Sequence, residues 1–393
     1  MGEMPLAIRR EQLAINYWIN LKGNNPEHPT LDILKPSWEK EKKETRSFGW
    51  IIDQKTKEMQ ISPVVPLPTI PPWILPNATV DLTLMDKKKD RRFIFNSYTV
   101  QDYINNYYNY IQIYTDASRT SEKVGVSYVI PEFNIEVRKR ITNEVSVYTG
   151  EMLAVLLAVQ WVEETRPLKT IICSDSSSTL ISLQNSHSDS RPDILLELQQ
   201  TLFRIQMMGL TVIFLWTPAH IGIRGNEAAD RAAKAATKDQ INFTISISKS
   251  EVRTIVKQKL KGKWQKQWEE EHKGRWYYRI QRQVGEMRRG GRNRREERLI
   301  TRLRFGHTSL NNTLHNIQKH DTGQCEHCGQ EETIEHVILV CQKYEHHRRR
   351  MIEQLGKIKE TFSIINILQK EITSKSIRII IHFFRNTKLE KRI

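Results

Sequence analysis

Four carboxylates and one histidine in the middle of the chain constrain its fold more than any other feature. Each falls at the end of a strand-like run or near the start of a helix-like one. Asp116 closes the apolar run 111–115, in Ile111-Gln112-Ile113-Tyr114-Thr115-Asp116. Asp175 follows the run 170–174, in Ile171-Ile172-Cys173-Ser174-Asp175. Glu151 opens a helical pattern over 151–164, and Asp230 lies in the first turns of an alanine-rich pattern over 226–237. His220 stands on a loop after the run 210–216, in Pro218-Ala219-His220-Ile221-Gly222. In an open α/β sheet, strand carboxyl ends and helix amino ends meet at one crevice, where ligands bind.

Four ionised carboxylates in one crevice raise each other's pKa and cost stability. Hard divalent cations relieve that cost. Mg²⁺ takes oxygen ligands in octahedral geometry and shares them with substrate phosphate. Two such ions clamp the attacking and leaving oxygens of a phosphodiester. Charge and placement say that Asp116, Glu151, Asp175 and Asp230 converge, and four acids that need divalent cations read as a two-metal phosphodiesterase.

The runs 111–115, 124–130 and 135–141 alternate as antiparallel strands, and 170–174 and 210–216 follow as strands linked by helical patterns over 176–184 and 194–208. Three antiparallel strands followed by helix-linked parallel ones predict an α/β fold, a mixed five-stranded sheet flanked by helices.

At these residues the chain resembles a type 1 ribonuclease H domain. The order Asp116, Glu151, Asp175, His220, Asp230 and the helix opening Gly225-Asn226-Glu227-Ala228-Ala229-Asp230 carry the resemblance, which covers about residues 110–238. Tyr114-Thr115-Asp116-Ala117-Ser118 and Pro218-Ala219-His220-Ile221-Gly222-Ile223-Arg224-Gly225-Asn226 are similar to the version in the C-terminal part of non-LTR retrotransposon reverse transcriptases. The resemblance implies an endonuclease that hydrolyses the RNA strand of RNA–DNA hybrids and descends from such a reverse transcriptase. Asp116 would bridge two Mg²⁺ ions, Glu151 and Asp175 would complete one, and Asp230 the other. His220 carries an imidazole, a group suited to proton transfer. Ser118 and Ser177, each two residues past an acid, are candidates to read the ribose 2′-hydroxyl. Glu227 is read as an acid favouring its helix dipole, and Cys173 as a buried free thiol. Two rivals stand beside this reading: a DNA phosphodiesterase of the same fold, and a non-catalytic nucleic-acid-binding remnant of a mobile element.

The flanks are different in character. Residues 5–23 read as a helix with Leu13, Tyr17 and Leu21 at four-residue spacing. It is similar to a helix that lies between polymerase and ribonuclease H in non-LTR elements. No Tyr-x-Asp-Asp palm motif precedes it, which leaves open a separate polymerase chain as partner. Residues 61–76 are proline-rich, and proline lacks a donor and fixes φ, so an extended linker is expected. Residues 249–304 are basic. Val252, Val256, Leu260, Trp264 and Trp268 recur every four residues with lysines around them. Arg275-Trp276-Tyr277-Tyr278-Arg279 and Arg288, Arg289, Arg292, Arg294, Arg295 and Arg298 follow. Arginine interleaved with aromatics suits phosphate contact and base stacking.

Cys325, Cys328, His336 and Cys341 follow the pattern C-x₂-C-x₇-H-x₄-C. That set offers a tetrahedral structural Zn²⁺ site with no open position, with His320, His327, His346 and His347 as rival ligands. It resembles the cysteine–histidine module at the end of many non-LTR reverse transcriptases. The expected domains are a helical extension over 1–60, a linker over 61–109, the nuclease over 110–240, a basic helical region over 249–320, a zinc module over 321–345 and helices over 346–393.

Composition narrows the partners. At 393 residues, with 38% hydrophobic and 27% charged, the chain is long enough for two or three globular domains. Its formal net charge of +16 favours a polyanion, with nucleic acid first. Four cysteines do not make a disulfide framework, no apolar run reaches membrane-span length, and the first residues do not read as a signal peptide or myristoylation site. The expectation is a reducing intracellular compartment, nucleus or cytoplasm, with no membrane partner.

Overall fold

Strand β2 (Ile111–Thr120) organises the sheet. On one side it pairs antiparallel with β3 (Lys123–Ile130), which pairs antiparallel with β4 (Ile135–Ile141). On the other it runs parallel to β5 (Lys169–Ser174), and β5 runs parallel to β6 (Thr211–Trp216). Parallel pairs need crossovers, and the helices Val147–Thr165, Ser177–Gln184 and Pro192–Met207 supply them. The structure, a computed structural model, describes residues 3–24, 28–34, 47–61, 64–65, 75–88, 95–121, 123–285, 293–357, 363–368 and 374–393.

The sheet has six strands rather than five: with β1 at Val80–Asp81, the order is β1-β6-β5-β2-β3-β4. The added strand, β1 (Val80–Asp81), pairs parallel with β6 at Val80↔Phe214 and Asp81↔Leu215. Two residues carry no readable alternation, so the sequence placed them in a connecting segment. Asp81 fixes the strand: its carboxylate accepts from Tyr103 Oη (2.7 Å), Tyr107 Oη (2.8 Å) and Thr83 N (2.9 Å). Most of the proline-rich stretch, residues 62–63 and 66–74, lies outside the described residues.

β3 is buried along nearly its whole length, because helix Val147–Thr165 and helix Arg224–Ala236 both pack on it. The close approach needs a bare backbone. A Cβ at Gly125 would lie 2.3 Å from Ala233 O and 2.8 Å from Thr237 N. The chain then folds back beyond this helix. Asn242 Oδ1 accepts from Arg140 N (2.8 Å), and Thr142 Oγ1 accepts from Ile245 N (2.9 Å).

The chain divides into two compact units, Glu11–Lys257 and Met1–Arg10 with Gln258–Ile393. In the first, the N-terminal helix (Leu6–Asn24) buries Ile15, Trp18 and Ile19. The expected stripe is not the buried one: Leu13 is 51% exposed and Tyr17 49%, and only Leu21 is buried. The face that wins carries Trp18, whose area outweighs that of Leu13. In the second unit the core is built from the helices Arg294–Phe305, Glu345–Lys357, Ile364–Leu368 and Ser374–Asn386. The apolar patch over 377–384 is part of it, with Ile377, Ile380, Ile381, Phe383 and Phe384 buried. Trp264 and Trp268 are buried as their spacing predicts, and Trp268 Nε1 donates to Gln281 O at 2.9 Å.

Candidate active site and metal centre

The register of the parallel strands brings the first three acids together. Thr115 pairs with Ser174, so Asp116 and Asp175 emerge side by side at the carboxyl end of the sheet. Glu151 reaches them from helix Val147–Thr165. One ligand atom from each of Asp116, Glu151 and Asp175 lies within 4.8 Å of the others. Ala117 N donates to Asp116 Oδ1 (2.7 Å) and to Glu151 Oε1 (3.2 Å). Glu151 Oε2 is buried and has no hydrogen-bond partner among the described residues. An orphaned carboxylate oxygen facing two further carboxylates is costly unless a cation sits there.

The electrostatics point the same way. Burial, then Asp175 and Asp230, push the Asp116 carboxyl up to about 7. Burial, then Asp116 and Asp175, hold Glu151 well above the usual carboxylate range. Asp175 is raised by burial, an effect that nearby His220 opposes. Acids so placed take protons unless a divalent ion displaces them.

His220 and Asp230 form a second group with Glu227, again with ligand atoms within 4.8 Å. His220 is exposed and has φ 57°, a conformation that costs energy for a residue with a Cβ. Asp230 borders the first group, since its charge raises the Asp116 pKa. Its Oδ2 accepts from Lys234 Nζ at 2.7 Å. Glu227 does sit in the first helical turn, as its dipole reading requires, and it also faces His220 and Asp230. The sequence reading did not find Asn226 and Trp216. The Asn226 side chain lies beside Asp175 and lowers its pKa, and Trp216 Nε1 donates to Asp175 O at 3.1 Å. Asn226 was visible within Gly225-Asn226-Glu227, whereas nothing local marks Trp216. Gly225 is required here, because a Cβ would lie 2.2 Å from the Tyr114 ring.

The RNase H family model matches residues 108–238. These residues are a type 1 ribonuclease H domain. No curated protein matches the chain. β1 at one sheet edge and the returning segment that holds Asn242 and Ile245 lie outside the matched residues.

The two serines fall differently about the ribonuclease H site. Ser118 is on β2, two residues from Asp116 and so on the same sheet face, and is half-buried. Ser177 begins helix Ser177–Gln184, and its N–H donates to Asp175 O at 3.0 Å. Ser176 occupies the cap position, but its hydroxyl bonds Thr179 Oγ1 (2.9 Å) rather than a helix N–H.

In the second unit, Cys325, Cys328, His336 and Cys341 form one cluster with ligand atoms within 4.8 Å. Cys325 Sγ and Cys341 Sγ are 3.9 Å apart, and Cys328 Sγ and His336 Nε2 are 3.3 Å apart. Zinc bonds of about 2.3 Å to sulfur and about 2.0 Å to nitrogen put tetrahedral neighbours roughly 3.5–3.8 Å apart. The donor set therefore fits a metal. None of His320, His327, His346 and His347 belongs to the cluster. A tight turn presents the first two thiols, with Cys325 N donating to Gln330 O (2.7 Å) and Gly329 N to Cys325 O (2.9 Å). Burial lowers the His336 pKa, favouring the neutral ligand form.

The basic residues divide. Arg288, Arg289 and Arg292 lie outside the described residues. Arg294, Arg295 and Arg298 share one face of helix Arg294–Phe305, where Arg295 pairs with Glu390 at 2.8 Å. The aromatics of 276–278 are occupied internally. Trp276 Nε1 donates to Leu303 O (2.9 Å), Tyr277 stacks on Phe305 with centroids 4.6 Å apart, and Arg275 lies over Tyr278 at 4.2 Å.

Proposed function

We propose that the ribonuclease H domain hydrolyses the RNA strand of RNA–DNA hybrids by a two-metal-ion mechanism, in a chain derived from a retrotransposon reverse transcriptase. The observation that carries this reading is the unpartnered buried oxygen of Glu151 facing Asp116 and Asp175. Asp116, Glu151 and Asp175 hold one Mg²⁺. Asp116 and Asp230 hold the second, for which Asp230 gives up Lys234. Bound Mg²⁺ activates water and stabilises charge on the phosphate. Asp116 orients both halves of the site from its strand. His220, exposed on its loop, moves a proton at the leaving 3′ oxygen, and the products carry a 5′-phosphate and a 3′-hydroxyl. Ser118 and Ser177 read the ribose.

Cys325, Cys328, His336 and Cys341 hold a structural Zn²⁺ that shapes the C-terminal module. Arg288, Arg289, Arg292, Arg294 and Arg295 bind nucleic acid, and the net charge of +16 supports that role. The thiol cluster fits a reducing intracellular compartment, nucleus or cytoplasm, and no helix among the described residues is long and apolar enough to cross a membrane.

One observation favours the rival reading, a non-catalytic nucleic-acid-binding remnant: the Lys234–Asp230 ion pair occupies a carboxylate that the second metal needs. Cleavage of a labelled RNA–DNA hybrid in Mg²⁺, beside Asp116→Asn and a DNA duplex, separates the two. RNA-strand cleavage lost in the variant supports the nuclease. Hybrid binding without cleavage supports the remnant.

A further inference from the structure

Helix Val147–Thr165, which carries Glu151, has an unusual start. Its cap is Ser146, whose Oγ accepts from Thr149 N at 3.1 Å. In a capping box the third helical residue returns the bond, using an acid or amide side chain to accept from the cap N–H. Here the third residue is Thr149, whose hydroxyl donates to Glu251 and does not accept from the cap N–H. The acceptor comes from far along the chain. Glu251 Oε1 accepts from Ser146 N at 2.7 Å and from Thr149 Oγ1 at 2.7 Å. Its Oε2 accepts from Ser248 N at 2.8 Å and lies 3.8 Å from Arg191 Nη1.

This carboxylate is buried, with side-chain exposure of 4% against 2% for Arg191. Arg191 pairs with Asp193 through Nε (3.0 Å) and Nη2 (2.6 Å), while its Nη1, which has no hydrogen bond among the described residues, faces Glu251. Glu251 lies outside the matched residues 108–238.

We propose that Glu251 is a positioning residue for Glu151, which makes the segment after the ribonuclease H match a working part of its metal site. The proposal rests on the reading that Asp116, Glu151 and Asp175 hold Mg²⁺. Glu151 sits two residues beyond Thr149, in the part of the helix that Glu251 pins. Past this start the helix is held by its own packing, with Met152, Leu153, Val155, Leu156, Val159 and Val162 buried. Loss of Glu251 therefore loosens the end that bears Glu151 and leaves the remainder in place. Octahedral Mg²⁺ tolerates little displacement of its ligands, and groups that orient metal ligands act on affinity without touching the metal.

The test uses the full chain with Glu251→Ala, Glu251→Gln, and Leu198→Ala as a control that destabilises the buried face of a different helix. The first readout is amide hydrogen exchange over 146–151 and over 155–162 in metal-free protein. The second is the Mg²⁺ concentration for half-saturation, by calorimetry and by hybrid cleavage. Glu251→Ala is expected to speed exchange over 146–151, leave 155–162 unchanged, and raise the Mg²⁺ half-saturation about tenfold. Glu251→Gln keeps an acceptor for Ser146 N and should shift it less. Leu198→Ala should lower Tm without moving the half-saturation. If Glu251→Ala does not fold, Glu251→Gln decides. Unchanged exchange over 146–151, or faster exchange with an unchanged Mg²⁺ half-saturation, overturns the proposal. Absence of cleavage by the unmodified chain would instead overturn the nuclease reading, while exchange and calorimetry still decide the role of Glu251.

Discussion

Lys234 Nζ lies 2.7 Å from Asp230 Oδ2, one helical turn along the same helix. Lys234 is 58% exposed, and exposed pairs at this spacing are worth only about 0.3–0.5 kcal/mol. A divalent ion competes easily with so weak a partner. Lys234→Ala should therefore lower the Mg²⁺ concentration for half-maximal cleavage by about twofold, with Tm almost unchanged. A magnesium titration of hybrid cleavage measures it. A rise in that concentration would mean that Lys234 assists the site.

The two groups of site residues should differ in severity. On the proposed two-metal reading Asp116 would serve both metal positions, and Asp116→Asn should abolish cleavage. In the same reading His220 would act only on a proton, so His220→Ala should leave residual turnover, reduced by about 10²–10⁴. Single-turnover cleavage of labelled hybrid distinguishes them, and equal losses would argue against an auxiliary histidine.

The raised acids make a prediction about pH. Asp116 is pushed from an ordinary 3.8 up to about 7, chiefly by burial and then by Asp175 and Asp230. Glu151 shifts in the same direction. A carboxyl raised on folding contributes stability below its unfolded pKa and loses it as pH climbs through the folded value. Metal-free protein should thus lose Tm as pH rises from about 4 to about 7. Added Mg²⁺ should raise Tm more at the upper end, where no protons need be displaced. Thermal melts with and without Mg²⁺ test both halves. Glu251 works oppositely. Burial pushes it up, but the Ser146 and Ser248 N–H groups outweigh that and hold it low, so its contribution fades as pH falls.

Metal analysis of purified chain should find one zinc, bound by Cys325, Cys328, His336 and Cys341. Chelation or Cys341→Ser should release it and unfold the surrounding module, since so small a core depends on its metal. Zero zinc in a well-folded preparation would contradict the assignment. Replacement of His327 should leave zinc content unchanged.

The legible parts of the site were those whose chemistry is local. Asp116 and Asp175 end apolar runs, and the cysteines are spaced as ligands, so short stretches sufficed. What escaped depends on partners distant in the chain. β1 is two residues long and exists only because β6 offers it an edge. Glu251 looks like one more acid at the start of a basic helix until Ser146 N is found above it. Trp276 and Tyr277 had the composition of a stacking surface, but folding gives their rings internal partners first. The stripe Leu13–Tyr17 lost to Ile15–Trp18 because periodicity alone does not say which of two apolar faces meets the core.

Gly125 has one further consequence. The helix bearing Asp230 lies on β3 where that glycine offers no side chain, and β3 is bonded across its width to the strand bearing Asp116. The interval between the two carboxylates is therefore gauged by bare peptide thickness instead of by side chains that rotate. A single methyl group at position 125 would act as a shim, prising the halves of the proposed metal site apart from a residue that touches neither.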